Sequence, residues 1–200
     1  MLQHLRPAIV MTALFTLLLG LGYPLAMTGV AQVLFRGQAN GSLVRDEAGR
    51  VVGSRLIGQN FARPEYLHPR PSSAGSGYDA SNSSGSNLGP LDKKLADSVA
   101  AAAAAIRKDA ATGEIPADAV TGSGSGLDPD ISPEYAHLQA GRIAAARGAP
   151  ATEVDAIIAA QTAGPAAGFL GQAHVNVLDA NRALDARFPK RAPKPASVSR

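Results

Sequence analysis

The sequence has no cysteine and no tryptophan, and its aromatic residues are only four tyrosines and five phenylalanines. Without cysteine, the chain can form no disulfide, no thiolate zinc site and no cysteine nucleophile. This absence does not decide the compartment, because an extracytoplasmic protein does not require disulfides. The net charge is only +3, with the basic excess mainly in the C-terminal tail. The chain therefore offers no broad basic surface for a nucleic acid.

Charged residues are absent from 7–35, near the N-terminus. A helix over this run would be ~43 Å long, which is enough to cross a hydrocarbon core of about 30 Å with some tilt. A cleaved signal peptide is the alternative, since Gly29-Val30-Ala31 offers small residues for cleavage. The run exceeds the apolar stretch of about 7–15 residues in a signal peptide, which favours a retained anchor. We predict a short tail at 1–6 and a transmembrane anchor at 7–35.

The residues leave the orientation of this anchor open. Arg36, Arg45 and Arg50 follow it closely, so a simple count of positive charges places the domain in the cytoplasm. That rule is weak for long domains, which are translocated largely regardless of their charge.

The part after the anchor, 36–188, is long enough to bury a core and predicts one soluble domain. Residues 43–46 and 50–53 flank Glu47-Ala48-Gly49, which predicts a hairpin with a left-handed glycine. The segment 61–90 is rich in Pro, Ser, Gly and Asn and predicts a long loop. The last residues, 189–200, are basic and proline-rich and predict a disordered tail.

Apolar spacing predicts helices in the C-terminal part of the chain. Alternating steps of three and four residues form a helical stripe of Leu88, Leu91, Leu95, Val99, Ala102 and Ile106. Ser132 and Pro133 predict the cap and first turn of a helix that ends near Gly148. A third helix should begin at Thr152-Glu153, with Val154, Ile157 and Ile158 on its inner face. A short strand at 175–177 should precede a last helix at 178–188. The predicted class is α+β, a single transmembrane helix followed by one mixed α/β domain.

Two glycine-rich segments invite comparison with nucleotide-binding loops. Gly75-Ser76-Gly77-Tyr78-Asp79-Ala80 matches the loose dinucleotide pattern, but a strand before it and a helix after it are not predicted. The segment 122–126 alternates glycine with serine, so its amides could cradle an anion. It lacks the lysine followed by Ser or Thr that a P-loop uses. A shaped connection that packs closely against neighbouring backbone is the favoured interpretation.

Few side chains have the spacing of a chemical site. Asp128 and Asp130 flank Pro129 and could act as an acid–base pair or bind a cation. With Ser132, they are better interpreted as capping and charge complement at a helix N-terminus. The four histidines have no metal-ligand spacing and are interpreted as surface or loop residues: His4, His68, His137 and His174. We predict no catalytic residue and no metal site.

A series of short motifs carries a family resemblance. The series begins with Gly22-Tyr23-Pro24-Leu25, Thr28-Gly29-Val30-Ala31-Gln32 and Gln38-Ala39-Asn40-Gly41-Ser42-Leu43. It continues with Gly53-Ser54-Arg55-Leu56-Ile57-Gly58-Gln59, Arg70-Pro71-Ser72 and Gly85-Ser86-Asn87-Leu88-Gly89-Pro90. The most diagnostic are Val120-Thr121, Ser123-Gly124-Ser125-Gly126-Leu127-Asp128-Pro129 and Ile131-Ser132-Pro133, with Val175-Asn176-Val177-Leu178 near the end. In this order and spacing, across residues 7–186, the chain resembles the C subunit of the Kdp-type potassium-transporting ATPase of bacteria.

Two positions depart from the family pattern. Asp130 stands where the family usually shows histidine, and Gln172-Ala173-His174 stands where Glu-Pro-Arg is expected.

The resemblance implies a non-catalytic accessory subunit of a high-affinity, ATP-driven potassium uptake complex. Such a subunit is needed for assembly and has been proposed to raise the affinity of the ATPase subunit for ATP. The implied partners are a potassium-binding channel-like subunit, a P-type ATPase subunit and a small hydrophobic subunit. The implied location is the bacterial inner membrane, with the N-terminus in the cytoplasm and the domain outside it. No firmly bound cofactor is expected, and ATP would act through the complex.

Candidate contacts follow from the resemblance and the loops. The loops 70–90 and 121–132 are the expected partner surface, and candidate partner or nucleotide contacts are Thr121, Ser123, Gly124, Ser125, Gly126, Asp128, Ser86 and Asn87. Gly22 and Gly29 would let the anchor pack closely on partner helices. One alternative is a membrane-anchored module that binds a nucleotide on the amides of 122–126. A less favoured alternative is an anchored hydrolase using Ser123 or Ser125 with Asp128, because the G-x-S-x-G elbow is absent.

Overall fold

The computed structural model describes residues 2–109 and 113–189. Contacts within the chain divide it after Val52 into two compact units. The predicted tail at 189–200 lies outside the described residues, apart from Pro189. The mixture of helices and strands agrees with the predicted α+β class.

The first unit is dominated by one long apolar helix, Leu5–Leu34, with a mean hydropathy of 1.9. It is preceded by a 3₁₀ turn, Leu2–His4, and comprises α1 (Leu5–Leu17), a π-helical turn (Leu18–Gly22) and α2 (Tyr23–Leu34). Its large apolar side chains are exposed within the chain. Within the described residues, this is the one helix that is long and apolar enough to cross a membrane.

The π-helical turn has its cause in Pro24. Proline has no N–H to donate to the carbonyl of Gly20, and its ring would clash with that carbonyl in a regular α-helix. The helix widens there, and the N–H of Tyr23 donates to the carbonyl of Leu18 five residues earlier. The helix therefore continues through the proline without ending.

A short helix, α3 (Arg36–Ala39), and a hairpin follow. Strand β1 (Leu43–Arg45) pairs with β2 (Val51–Ser54), as the sequence predicts. Gly49 adopts a left-handed φ of 78°, which glycine tolerates without steric cost. Asp46 accepts from the backbone N–H of Arg50 and pairs with its guanidinium at 2.7 Å. These contacts with Arg50 lower the pKa of the Asp46 carboxyl.

The second unit holds six helices and three strands among its described residues. The helices are α4 (Lys93–Asp109), α5 (Ala117–Val120), α6 (Pro133–Leu138), α7 (Ala140–Arg147), α8 (Ala151–Gln161) and α9 (Val177–Arg187). The strands are β3 (Asp130–Ile131), β4 (Thr162–Ala163) and β5 (His174–Asn176). Strand β5 lies between the other two and is antiparallel to both, with Val175 opposite Ile131 and Thr162.

The core lies between this small sheet and the helices. Its fully buried large side chains are apolar with one exception: Leu67, Ile143, Val154, Ile158, Val175, Leu184 and the amide side chain of Asn181. Val154 and Ile158 lie on the inner face of α8, as predicted, and Ile157 is partly buried against the core.

The segment 61–90 contains no helix or strand, as predicted, yet two buried amide side chains fix part of it. Asn181 accepts from the N–H of Leu67 at 2.7 Å and donates to its carbonyl at 3.0 Å. Gln139 does the same for His68, at 2.7 and 3.1 Å. Each amide thus mimics a strand neighbour and satisfies backbone groups that would be costly to bury unpaired.

Two helix predictions need correction. The stripe predicted from Leu88 enters a helix only at Lys93, and Leu91 is 99% exposed. Proline at position 90 disfavours the helical conformation before it, and Asp92 caps the helix by accepting from the N–H of Lys94. The helix that begins at Ser132 is interrupted at Gln139, although the predicted end at Gly148 is confirmed by its φ of 63°.

Candidate functional site

The two loops expected to form the partner surface lie directly against each other. Arg70 joins them: its guanidinium pairs with the carboxylate of Asp128 at 2.8 Å and donates to the carbonyls of Thr121 and Gly122, both at 3.4 Å. The side chains of Arg70 and Asp128 are 23% and 30% exposed. The pair is therefore partly shielded from solvent, which strengthens it relative to an exposed ion pair.

Ser72 and Tyr78 make hydrogen bonds that fix the loop 70–90 near the pair of Arg70 and Asp128. The Ser72 hydroxyl donates to the carbonyl of Gly126 at 2.6 Å and accepts from the N–H of Tyr78 at 2.9 Å. The Tyr78 hydroxyl donates to the carbonyl of Arg70. A second connection forms where the N–H of Ser84 and the hydroxyl of Ser83 donate to the carbonyl of Ser125, at 3.0 and 2.9 Å. Hydrogen bonds therefore run along the whole contact between the loops.

At two positions, neighbouring backbone lies so close that only glycine fits. A Cβ at Gly126 would lie 2.5 Å from the carbonyl oxygen of Ser84 and 2.7 Å from the N of Ala74, and its φ is +67°. A Cβ at Gly58 would lie 2.5 Å from the carbonyl oxygen of Asp128. The interpretation of 122–126 as a shaped connection packed on neighbouring backbone agrees with these contacts.

Other predicted contact residues remain accessible. Gly124, Ser125, Ser86 and Asn87 are exposed, and a Cβ at Gly124 would meet nothing within 4 Å. Ser123 is half-buried, with its hydroxyl 3.4 Å from that of Ser125. We call the group Ser86, Asn87, Ser123, Gly124 and Ser125 the serine ridge.

The remaining members of the predicted set are buried or bound to other groups of the chain. The Thr121 hydroxyl donates to the carbonyl of Ala117 at 2.6 Å. Gly126 is buried, and Asp128 is engaged by Arg70. Gly126 and Asp128 thus contact the neighbouring loop, whereas Thr121 bonds back to α5.

The interpretation of Asp128 and Asp130 as helix caps is wrong, whereas that of Ser132 is confirmed. Ser132 accepts from the N–H of Tyr135 at 3.1 Å. Asp118, which sequence reasoning missed, supports this cap by accepting from both the N–H and the hydroxyl of Ser132. Asp128 instead pairs with Arg70, because the loop turns its carboxylate toward the neighbouring segment.

The two departures from the family pattern are spatial neighbours. Asp130 accepts from the side-chain amide of Asn176 at 2.9 Å, and its carboxylate lies 4.0 Å from Nε2 of His174. Both side chains are partly exposed. An acidic residue in β3 thus stands beside a histidine in β5.

The structure gives little support to a nucleotide site at residues 75–80 or to a metal site at the histidines. Residues 75–80 form turns and are flanked by neither strand nor helix, so they are loop, as the sequence favours. Among the described residues, no group of three or more His, Asp or Glu side chains could hold a metal. His68, His137 and His174 lie in a loop, on an exposed helix face and at a strand end.

A cavity of about 380 Å³ lies between α4 and the first loop. Its walls include Phe61, Tyr78 and Tyr135 from one side and Ala102, Ala105 and Ile106 from α4. Burial raises the pKa of Tyr135 to about 12 and raises that of Tyr78 as well. Desolvation is the main cause for both, because it penalises the phenolate.

These raised pKa values predict a loss of stability in alkali. An unfolded tyrosine ionises near pH 10, so the contribution of each phenol is intact below that pH and is lost as the pH rises through the raised pKa of the folded state, about 12 for Tyr135. For Tyr135 the loss is about 2–3 kcal/mol. Urea unfolding of the full-length chain in mild detergent from pH 8 to 12 should show the decline. Tyr135→Phe should make it shallower, and an unchanged slope in this variant would contradict the assignment.

The chain is similar to known proteins over nearly its whole length. A family model described as the K⁺-transporting ATPase c chain, KdpC, matches residues 5–186. A protein of Caulobacter vibrioides named potassium-transporting ATPase KdpC subunit is 64% identical over 189 residues, covering 94% of this chain and 96% of that protein. Proteins of the same name from Beijerinckia indica and Gemmatimonas aurantiaca are 62% and 54% identical. The alignments cover 98% and 92% of this chain and 100% and 94% of those proteins.

Proposed function

The chain belongs to the KdpC family, the c chain of K⁺-transporting ATPases, and from that premise we propose that it is a non-catalytic subunit needed to assemble a potassium uptake complex. Its partners are a channel-like potassium-binding subunit, a P-type ATPase subunit and a small hydrophobic subunit. The main support for this proposal is the accessible serine ridge. Its residues lie on two loops that hydrogen bonds connect to each other.

The loop pair suits a docking role for a physical reason. Arg70, Ser72 and the backbone of Gly126 fix the loops from within, so little conformational entropy remains to be lost on binding. The ridge presents hydroxyl groups and an amide rather than charges, so a partner can form hydrogen bonds to it without stripping water from an ion. The anchor contributes a second surface, since a Cβ at Gly29 would meet nothing within 4 Å and a neighbouring helix can approach it.

Affinity purification of the tagged full-length protein in mild detergent tests assembly. We expect a P-type ATPase subunit and a channel-like subunit to be recovered with it. Recovery of the well-folded chain alone would overturn the proposal and favour the membrane-anchored nucleotide-binding module instead.

We further propose that the anchor lies in the inner membrane with the N-terminus in the cytoplasm and the domain outside it. The chain has no cysteine, so a single Ala80→Cys in the exposed loop gives one reactive thiol. A maleimide that does not cross membranes should label it in intact spheroplasts. Labelling only after lysis would place the domain in the cytoplasm.

A second role is an increase in the affinity of the complex for ATP. We propose that it is exerted through assembly, because the N–H of Gly126 already donates to the carbonyl of Ser123 and no lysine stands beside the glycine-rich segment. The purified chain alone should therefore show no saturable binding of ATP. Saturable binding by the chain would favour direct contact.

A further inference from the structure

The connection between β4 and β5 contains a tight turn, 166–170, with apolar residues at its tip. Ala166 and Leu170 pair across it, with N–H to carbonyl distances of 2.8 and 2.9 Å. Ala167 and Gly168 both adopt positive φ, at 53° and 82°. A non-glycine residue in this conformation is uncommon and costs conformational energy. The turn is thus held in one shape by its own hydrogen bonds.

The side chains at this tip are far more exposed than apolar side chains of a folded core. Phe169 is 76% exposed and Leu170 is 57% exposed. The surrounding sequence, 156–173, contains no charged residue. Docking of the tip would therefore remove apolar surface from water without desolvating an ion.

We propose that this tip, Phe169 and Leu170, inserts into an apolar pocket on a partner subunit of the potassium-transporting complex. The inference rests on the proposed function, which supplies the partner. A rigid turn presenting one aromatic and one aliphatic side chain has the character of an interface anchor, since such residues carry most of the binding energy when they fill a pocket.

The charge pattern favours a protein pocket over a lipid surface. Segments that lie on anionic membranes combine apolar residues with lysine or arginine that contact the headgroups. No such residue occurs in 156–173. Interface cores between proteins are depleted of charge in the same way as this turn.

The tip is separate from the serine ridge. Strand β5 runs antiparallel to β3, with Asp130 opposite Asn176. The loop 121–128 enters β3 at the end of the sheet where β5 finishes, whereas the tip precedes the start of β5. The two surfaces therefore leave opposite ends of the sheet, and substitutions at one should act independently of the other.

Co-purification from detergent tests the contact. Phe169→Ser with Leu170→Ser in the tagged full-length chain should lower recovery of partner subunits at least about tenfold relative to wild type. Phe169→Leu, which keeps an apolar side chain, should retain most of it. Leu91→Ser is the matched control, because Leu91 is even more exposed, at 99%, but borders the charged Asp92 and Lys93. It should leave recovery unchanged.

The outcomes separate this inference from the proposed function. If wild type recovers partners and the double serine variant recovers them equally, the tip is not a contact although the accessory role stands. If wild type recovers none, the accessory role itself fails. A nitroxide on Phe169→Cys, in full-length chain alone in lipid nanodiscs, should be accessible to a water-soluble nickel chelate. Burial of that label among the acyl chains would assign the tip to lipid and overturn the proposal.

Discussion

Gly126→Leu is expected to disrupt the paired loops and to destabilise the domain by about 3–5 kcal/mol. Its φ of +67° penalises any side chain, and a Cβ would lie 2.5 Å from a carbonyl oxygen that belongs to backbone. Because backbone cannot rotate away as a side chain does, the loops must separate. Urea unfolding of the full-length chain in mild detergent, followed by circular dichroism, measures the loss.

Gly124→Leu is the matched variant, two residues away in the same segment. No atom lies within 4 Å of a Cβ there, and its φ is not in the left-handed region. We expect the free energy of unfolding to stay within about 0.5 kcal/mol of wild type, while co-purification of partner subunits is lost. A Gly124→Leu complex recovered intact would remove the serine ridge from the interface.

Arg147→Met is expected to cost about 3–5 kcal/mol of stability. The Arg147 side chain is 4% exposed and pairs with Asp185 at 2.9 Å. It also donates to the carbonyls of Glu65 at 2.7 Å and Phe188 at 3.1 Å. The guanidinium lies over the ring of Tyr66, 5.2 Å from its centroid. Methionine fills much of the same volume but leaves these acceptors unpaired.

Two further variants serve as comparisons for the stability loss expected in Arg147→Met. Arg147→Lys keeps the charge but cannot reproduce the planar fork of donors, so it should fall between wild type and Arg147→Met. Arg187→Met removes an arginine that is 62% exposed and pairs with Glu153 at 2.7 Å. Since exposed pairs contribute little, its cost should stay below about 1 kcal/mol. Equal losses at positions 147 and 187 would contradict the role given to Arg147.

Local chemistry made much of the fold predictable. Ser132 is followed by a proline and lies three residues before the N–H that it caps, and Gly49 and Gly148 stand where left-handed backbone is required. These signals involve neighbours in sequence, so one segment is enough to detect them. The long apolar helix follows from composition alone.

Long-range pairings were not predictable in the same way. Asn181 and Gln139 bind backbone more than 70 residues away in sequence, and nothing in their own segments marks them as partners of a loop. Asp128 looked like a cap because Ser132 follows it closely, yet Arg70 lies 58 residues away and decides its role. The exposed tip at Phe169 was missed because exposure depends on the fold and not on residue type.

If this chain completes a potassium-transporting complex, potassium-stimulated ATP hydrolysis should depend on its presence. The complex should be purified through a tag on this chain, in parallel with the other subunits expressed without it. We expect potassium-stimulated hydrolysis in the tagged preparation and little or none in the subunits lacking this chain. Equal stimulation by potassium in both preparations would contradict this expectation.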